Sequence, residues 1–321
     1  MHIAIPALVG ALALGAAPGK PFSLPAPEPH FLFDLATTTG ANESTWAVLA
    51  YDREHDELFA VHDGLVHIFN SAGMEIFRFG GDGDLGLVER VALVEGGDLL
   101  LLTNISGRRT ILRTDYRGEF LGPFEPKIIP EEFKGFTPDR IMVQGGKVYL
   151  VETPTMRVVV ADGQGTVEQS FDLASQVKKK DPELKTGMNG FWADAKGNFF
   201  FTMPYAFTAF ARSPGGELRQ FGSRGSSPGK FNIVGAISTD ERGTLFVLDR
   251  LRSVVLIFDP ALKFVLEFGY RGDGPSNLIA PYDLGVGNGK VFVSQARDRG
   301  VKVFQYDLST RTATPVGAGG G

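Results

Sequence analysis

The chain has 321 residues, no cysteine and a formal net charge of −5. Thiolate and disulfide chemistry are therefore excluded, and the acidic total gives no general pull toward nucleic acid or anionic membrane. The 26 phenylalanines and 41 glycines mark a large core cut by regular turns rather than a disordered chain.

The first element is apolar and uncharged: IAIPALVGALALGAA, residues 3–17. It is short for a membrane span and ends in small residues, so residues 1–17 read as a signal peptide and predict a periplasmic or extracellular protein. Residues 18–29, PGKPFSLPAPEP, form a Pro-rich leader. No cysteine follows that could carry a lipid anchor, and no later stretch is apolar and long enough to cross a bilayer.

Six apolar runs then recur: ELFAVH, DLLLLT, KVYLVE, NFFFTM, TLFVLD and KVFVSQ. They begin at residues 57, 98, 147, 198, 244 and 290, a spacing of 41 to 51 residues. That is the period of a four-stranded propeller blade. Each run is apolar almost throughout, as befits a strand covered on both faces. A tight polar turn precedes each one (DREHD, EGGD, QGGK, DAKGN, DERGT, GNGK), and another short strand precedes the turn. A third strand follows (LVHIFN, TILRTD, RVVVAD, TAFARS, VVLIFD, VKVFQYD), then a second turn and a fourth strand that often ends in Phe-Gly. These features predict an all-β, six-bladed β-propeller over residues 30–315, built of four-stranded antiparallel blades. Little helix is expected outside residues 172–184.

Residues 30–52 align with residues 218–240, which makes residues 30–35 a fourth strand without a blade of its own. It is expected to pair beside VKVFQYD and close the ring, removing an exposed sheet edge. The rival for that position is TATPV near the C-terminus. Residues 316–321 read as a flexible tail.

Residues 220–259 (QFGSRGSSPGKFNIVGAISTDERGTLFVLDRLRSVVLIFD) and 267–307 carry Phe-Gly, a Gly-rich loop, and two apolar strands around a Gly turn. In this the chain resembles the NHL-repeat family, in its bacterial, exported form. The resemblance spans nearly everything after about residue 31, closely in these two copies only. It implies the propeller and is nearly silent on chemistry.

Function in such a fold sits on the face bearing the links from fourth to first strand and from second to third strand, here called the top face. Arginines gather in its loops: Arg108, Arg109, Arg157, Arg250, Arg252, Arg271, Arg297 and Arg299. They suit an anionic protein or glycan partner, while the carboxylates among them suit a mutually paired surface. Two long connectors, residues 122–139 and 172–190, are expected to cover one side of the same face.

The spacing of His55, His62 and His67 sends them in different directions, against the zinc site of the amidating lyases that use such propellers. Aligned first-strand starts bring Glu43, Asp139, Asn189, Asn232 and Asp283 toward the channel mouth. Six-bladed lactonases are similar in placing acidic and Asn ligands there, which implies Ca²⁺ or another divalent cation as cofactor. Arg90 projects into the same region and opposes a cation. The leading reading is a non-enzymatic, exported binding or scaffold propeller with no cofactor. The alternatives are a metal-dependent lactonase-like hydrolase and a single-stranded RNA binder, the last disfavoured by the charge.

Overall fold

The computed structural model describes residues 28–35, 46–81, 84–296 and 300–307. Residues 1–17, read as a signal peptide, most of residues 18–29, Glu43, Arg297, Arg299, TATPV and residues 316–321 lie outside these. The described residues form six four-stranded antiparallel sheets in a ring. The first strand of each blade faces the channel: Val48–Asp52, Leu87–Leu93, Arg140–Gln144, Phe191–Ala193, Val234–Thr239 and Pro281–Gly287. The second strands are the six apolar runs. Leu245–Asp249 and Phe199–Met203 are buried along their whole length, because neighbouring blades cover both faces.

One device recurs in four of the turns on the lower face. In D-x-x-G-x, the Asp carboxylate accepts from the backbone N–H two and four residues on. Asp240 takes Arg242 N at 3.0 Å and Thr244 N at 2.7 Å. Asp115, Asp162 and Asp194 repeat the pattern. The fourth residue turns back with φ near +80°, as at Gly197 (φ 77) and Gly243 (φ 83), where a Cβ would be strained. The recurring Asp and Gly are thus two halves of one hydrogen-bonded turn.

His30–Asp34 is the outer strand of blade 6 and pairs antiparallel with Val301–Gln305, as His30 with Gln305 and Asp34 with Lys302. Leu35 N extends the pairing to Val301 O at 3.0 Å. The seam between blades 6 and 1 is sealed by Leu35, Phe292, Val301 and Val303 packed on Leu58, Ala60 and Phe69. The first and last strands of the described residues therefore share one sheet, which completes the sixth four-stranded blade.

The only α-helix among the described residues is Leu173–Lys180, capped by Asp172, whose carboxylate accepts from Ser175 N. Leu173 and Val177 sink into the seam between blades 3 and 4. The other connector departs from expectation. Lys127 N bonds Gly165 O at 2.7 Å, in the outer hairpin of blade 3 that opens on the lower face. Its first part thus runs along the flank, and Phe133 then buries between blades 2 and 3. The later parts of both connectors do meet on one side of the top face, at the loop after the second strand of blade 3: Thr137 N donates to a Glu152 carboxylate oxygen at 3.0 Å and Met188 N to Thr153 O at 3.2 Å, while apolar residues of both connectors are drawn into the seams.

Candidate site at the top channel mouth

The top-face arginines among the described residues have unlike surroundings. Arg252 and Glu267 form a buried, two-pronged ion pair, with side chains 9% and 2% exposed. Its role is internal, which corrects its expected place in an exposed arc. Arg109 is paired with Glu89 at 2.7 Å, and the Arg157 guanidinium lies 5.2 Å over the Phe133 ring. Arg108 and Arg271 are exposed.

Arg250, two residues before Arg252, points the other way. Its backbone N–H bonds Ile233 O, and its stem passes beside Gly235, where a Cβ would stand 3.1 Å from Arg250 Cδ. The guanidinium ends 5.0 Å over the Tyr282 ring. Trp46 stacks on the same ring at 5.9 Å and 19°, with about half its own surface exposed.

Beneath this stack lies a cavity of about 170 Å³, lined by Arg90, Asp139, Arg140, Thr153, Asn189, Arg250, Tyr282 and Asp283, among others. Arg90 and Arg140 come from the innermost strands of blades 2 and 3. Arg90 Nε donates to Asp139 O at 2.8 Å, and an Arg140 amine donates to Asn189 O at 2.9 Å. Arg140 Nε is buried with no partner among the described residues. Removal from water, and then the neighbouring Arg90 charge, lower the Arg140 pKa to about 10, so the group stays charged at neutral pH.

The two carboxylates of the mouth are held by neutral donors. Both Asp139 oxygens accept from Thr153, one from its N–H at 2.9 Å and the other from its hydroxyl. Asp283 Oδ2 accepts from Leu49 N at 3.0 Å. Neither carboxylate comes within ion-pair distance of the three guanidiniums. The mouth is therefore a cluster of three cations and two anions with few direct pairings.

Of the five aligned candidates for cation binding, Asp139, Asn189 and Asp283 do share this cavity. Asn232 does not line it; its amide turns to Ser226 Oγ and its N–H to Asp249. No three His, Cys, Asp or Glu side chains group as metal ligands among the described residues. With three guanidiniums around one amide and two engaged carboxylates, the donor set does not fit a divalent cation.

His62 and His67, expected to diverge, stack face to face at 4.2 Å, and His67 Nδ1 lies 2.8 Å from buried Glu75. They sit diagonally across a hairpin and so share a face, which the sequence spacing concealed. His55 stands apart on the lower face, beside Asp52.

Arg140 was not singled out in the sequence. The available signal is local: Glu-Arg-Val-Ala-Leu-Val at residues 89–94 and Asp-Arg-Ile-Met-Val at 139–143 begin equivalent strands, so an Arg in one place implied its counterpart in the other.

No family profile matches the chain, and no curated protein matches its sequence. Solved structures do match in shape. A Bacteroides thetaiotaomicron protein of unknown function is similar with TM-score 0.59 and 12% identity, over 86% of this chain and 75% of that one. A gluconolactonase from Xanthomonas campestris gives 0.56 and 14%, over 91% and 99%. A chain of a nidogen/laminin complex gives 0.53 and 13%, over 74% and 85%. At such identities the likeness is one of fold: a six-bladed propeller, a scaffold that serves both enzymes and binding proteins.

Proposed function

We propose that this chain is an exported binding propeller of the NHL-repeat type, which takes a protein or glycan partner on its top face and catalyses no reaction. The observation that carries this reading is the stack of Trp46, Tyr282 and Arg250 at the channel mouth. Trp, Tyr and Arg dominate the energetics of binding surfaces because each combines a large apolar face with a polar tip. Trp46 also holds φ at +53°, a backbone region that bulky residues rarely adopt. Export rests on the apolar run at residues 3–17, and the NHL assignment on the Phe-Gly and Gly-turn repeats.

A second reading, a lactonase-like hydrolase, draws on Asp139, Asn189 and Asp283 sharing one cavity. The engaged carboxylates and the facing guanidiniums make it the weaker of the two.

The test compares retention of partners from a periplasmic or extracellular extract by wild type, Trp46→Ala and Arg250→Ala. A species held by wild type and lost by both folded variants supports the reading. Ca²⁺-dependent turnover of a lactone panel, abolished by Asp139→Ala with Asp283→Ala, replaces it with the hydrolase.

A further inference from the structure

Resting on the top face as the binding face, we propose that the channel mouth is a receptor for the carboxylate of a sugar acid of the uronate kind. The carboxylate would sit among Arg90, Arg140 and Arg250, with the sugar ring against Trp46.

The charge of the cavity selects the anion. Among the described residues, three guanidiniums and two carboxylates leave one net positive charge. A carboxylate neutralises it, whereas a phosphate monoester, carrying close to two negative charges at neutral pH, would leave the mouth negative. The guanidiniums are also placed for an incoming acceptor. Arg90 uses only Nε, Arg140 uses one amine, and Arg250 makes no side-chain hydrogen bond or ion pair to the described residues. Partly desolvated cations held side by side are costly unless an anion joins them, and planar guanidiniums match a carboxylate's two oxygens.

Size and rim select what carries the carboxylate. The cavity of about 170 Å³ holds the volume of roughly half a dozen waters. That suits a carboxylate and the carbons beside it, with the rest of the ligand left at the rim. There Trp46 offers a flat apolar surface to the C–H face of a ring. Thr153, Asn189 and Asp283 supply the mixed donors and acceptors that ring hydroxyls require.

Isothermal titration calorimetry with D-glucuronate at low ionic strength tests the site. Binding to the wild-type chain is expected. It should weaken at least about tenfold in Arg140→Gln and in Arg250→Gln, the loss of one charge-assisted hydrogen-bonding group. Arg250→Gln guards against misfolding, because that side chain has no internal polar partner. Neutral glucose should bind at least about tenfold more weakly than glucuronate, and so should glucose 6-phosphate. Trp46→Ala should weaken glucuronate while leaving acetate unchanged.

The proposal is overturned if folded wild type does not bind glucuronate, if both Arg variants bind it as wild type does, or if glucose 6-phosphate binds more tightly. An acidic peptide that outcompetes glucuronate overturns the sugar assignment. Any of these results, combined with partner retention that still depends on Trp46, defeats this inference and leaves the binding-propeller reading standing.

Discussion

At the end of the channel opposite the arginine cluster, a bowl of about 840 Å³ is lined by Asp52, Glu54, Glu57, Glu95 and Asp98, among others. Three of these carboxylates are tied into the fold, within a blade or between neighbouring blades. Asp52 accepts from Glu54 N and His55 N and holds the His55 ring. Glu57 receives the Tyr116 hydroxyl, and Asp98 pairs with Arg113 at 2.7 Å. At the top mouth the guanidiniums have few internal partners, and one is buried against a like charge. The comparison separates charge that builds the fold from charge that the fold sustains at some expense. Charge of the second kind marks a functional site more reliably than a count of arginines does.

The sharpest break of this comparison uses two arginines on one loop. Arg252→Ala leaves Glu267 buried without its partner and should cost about 3–5 kcal/mol in urea unfolding. Arg250→Ala should stay within about 0.5 kcal/mol of wild type. Similar losses for both would mean that Arg250, too, belongs to the fold. Next comes Asp240→Ala, which removes the acceptor of Arg242 N, Thr244 N and the Tyr306 hydroxyl. Its expected cost is about 2 kcal/mol, read from the same denaturation curves.

A smaller effect of opposite sign is expected at the mouth. Arg140→Met removes a desolvated charge beside Arg90, so its thermal midpoint should equal or exceed that of wild type, at the expense of anion binding. A clear drop would place Arg140 among the fold-building charges.

The smallest effect is at His55, whose pKa is raised above the ordinary imidazole value of about 6.5 by its hydrogen bond to Asp52 and then by that charge. A group whose pKa is raised on folding adds stability below its unfolded pKa and loses it as pH rises through the higher folded value. An NMR titration should find His55 above 6.5 in wild type and lower in Asp52→Asn. An unchanged midpoint in the variant would remove Asp52 as the cause.

The architecture was legible because it repeats. The apolar runs, the D-x-x-G turns and the alignment of residues 30–52 with a later repeat each restate one unit, so errors in any single copy average out. That alignment places the closing strand beside VKVFQYD, where His30–Asp34 pairs with Val301–Gln305. The site was less legible because it arises where unlike copies meet. Arg250 and Arg252 are two residues apart, yet they face opposite ways around a turn whose Asp249 carboxylate holds Leu251 N and Arg252 N. Asp139 and Asp283 were correctly brought to the mouth by the strand alignment. Their partners, Thr153 and Leu49, come from a neighbouring strand and a neighbouring blade, and no local pattern names them. Likewise, no repeat signals that Phe133 and Val177 bury in blade seams and make the two connectors packing elements as well.

The top mouth is expected to hold anions and not divalent cations. Crystals soaked separately in bromide and in strontium would locate each ion by its anomalous scattering. Bromide is expected among Arg90, Arg140 and Arg250, with no strontium there. Strontium bound by Asp139, Asn189 and Asp283, with bromide absent from the mouth, would contradict it.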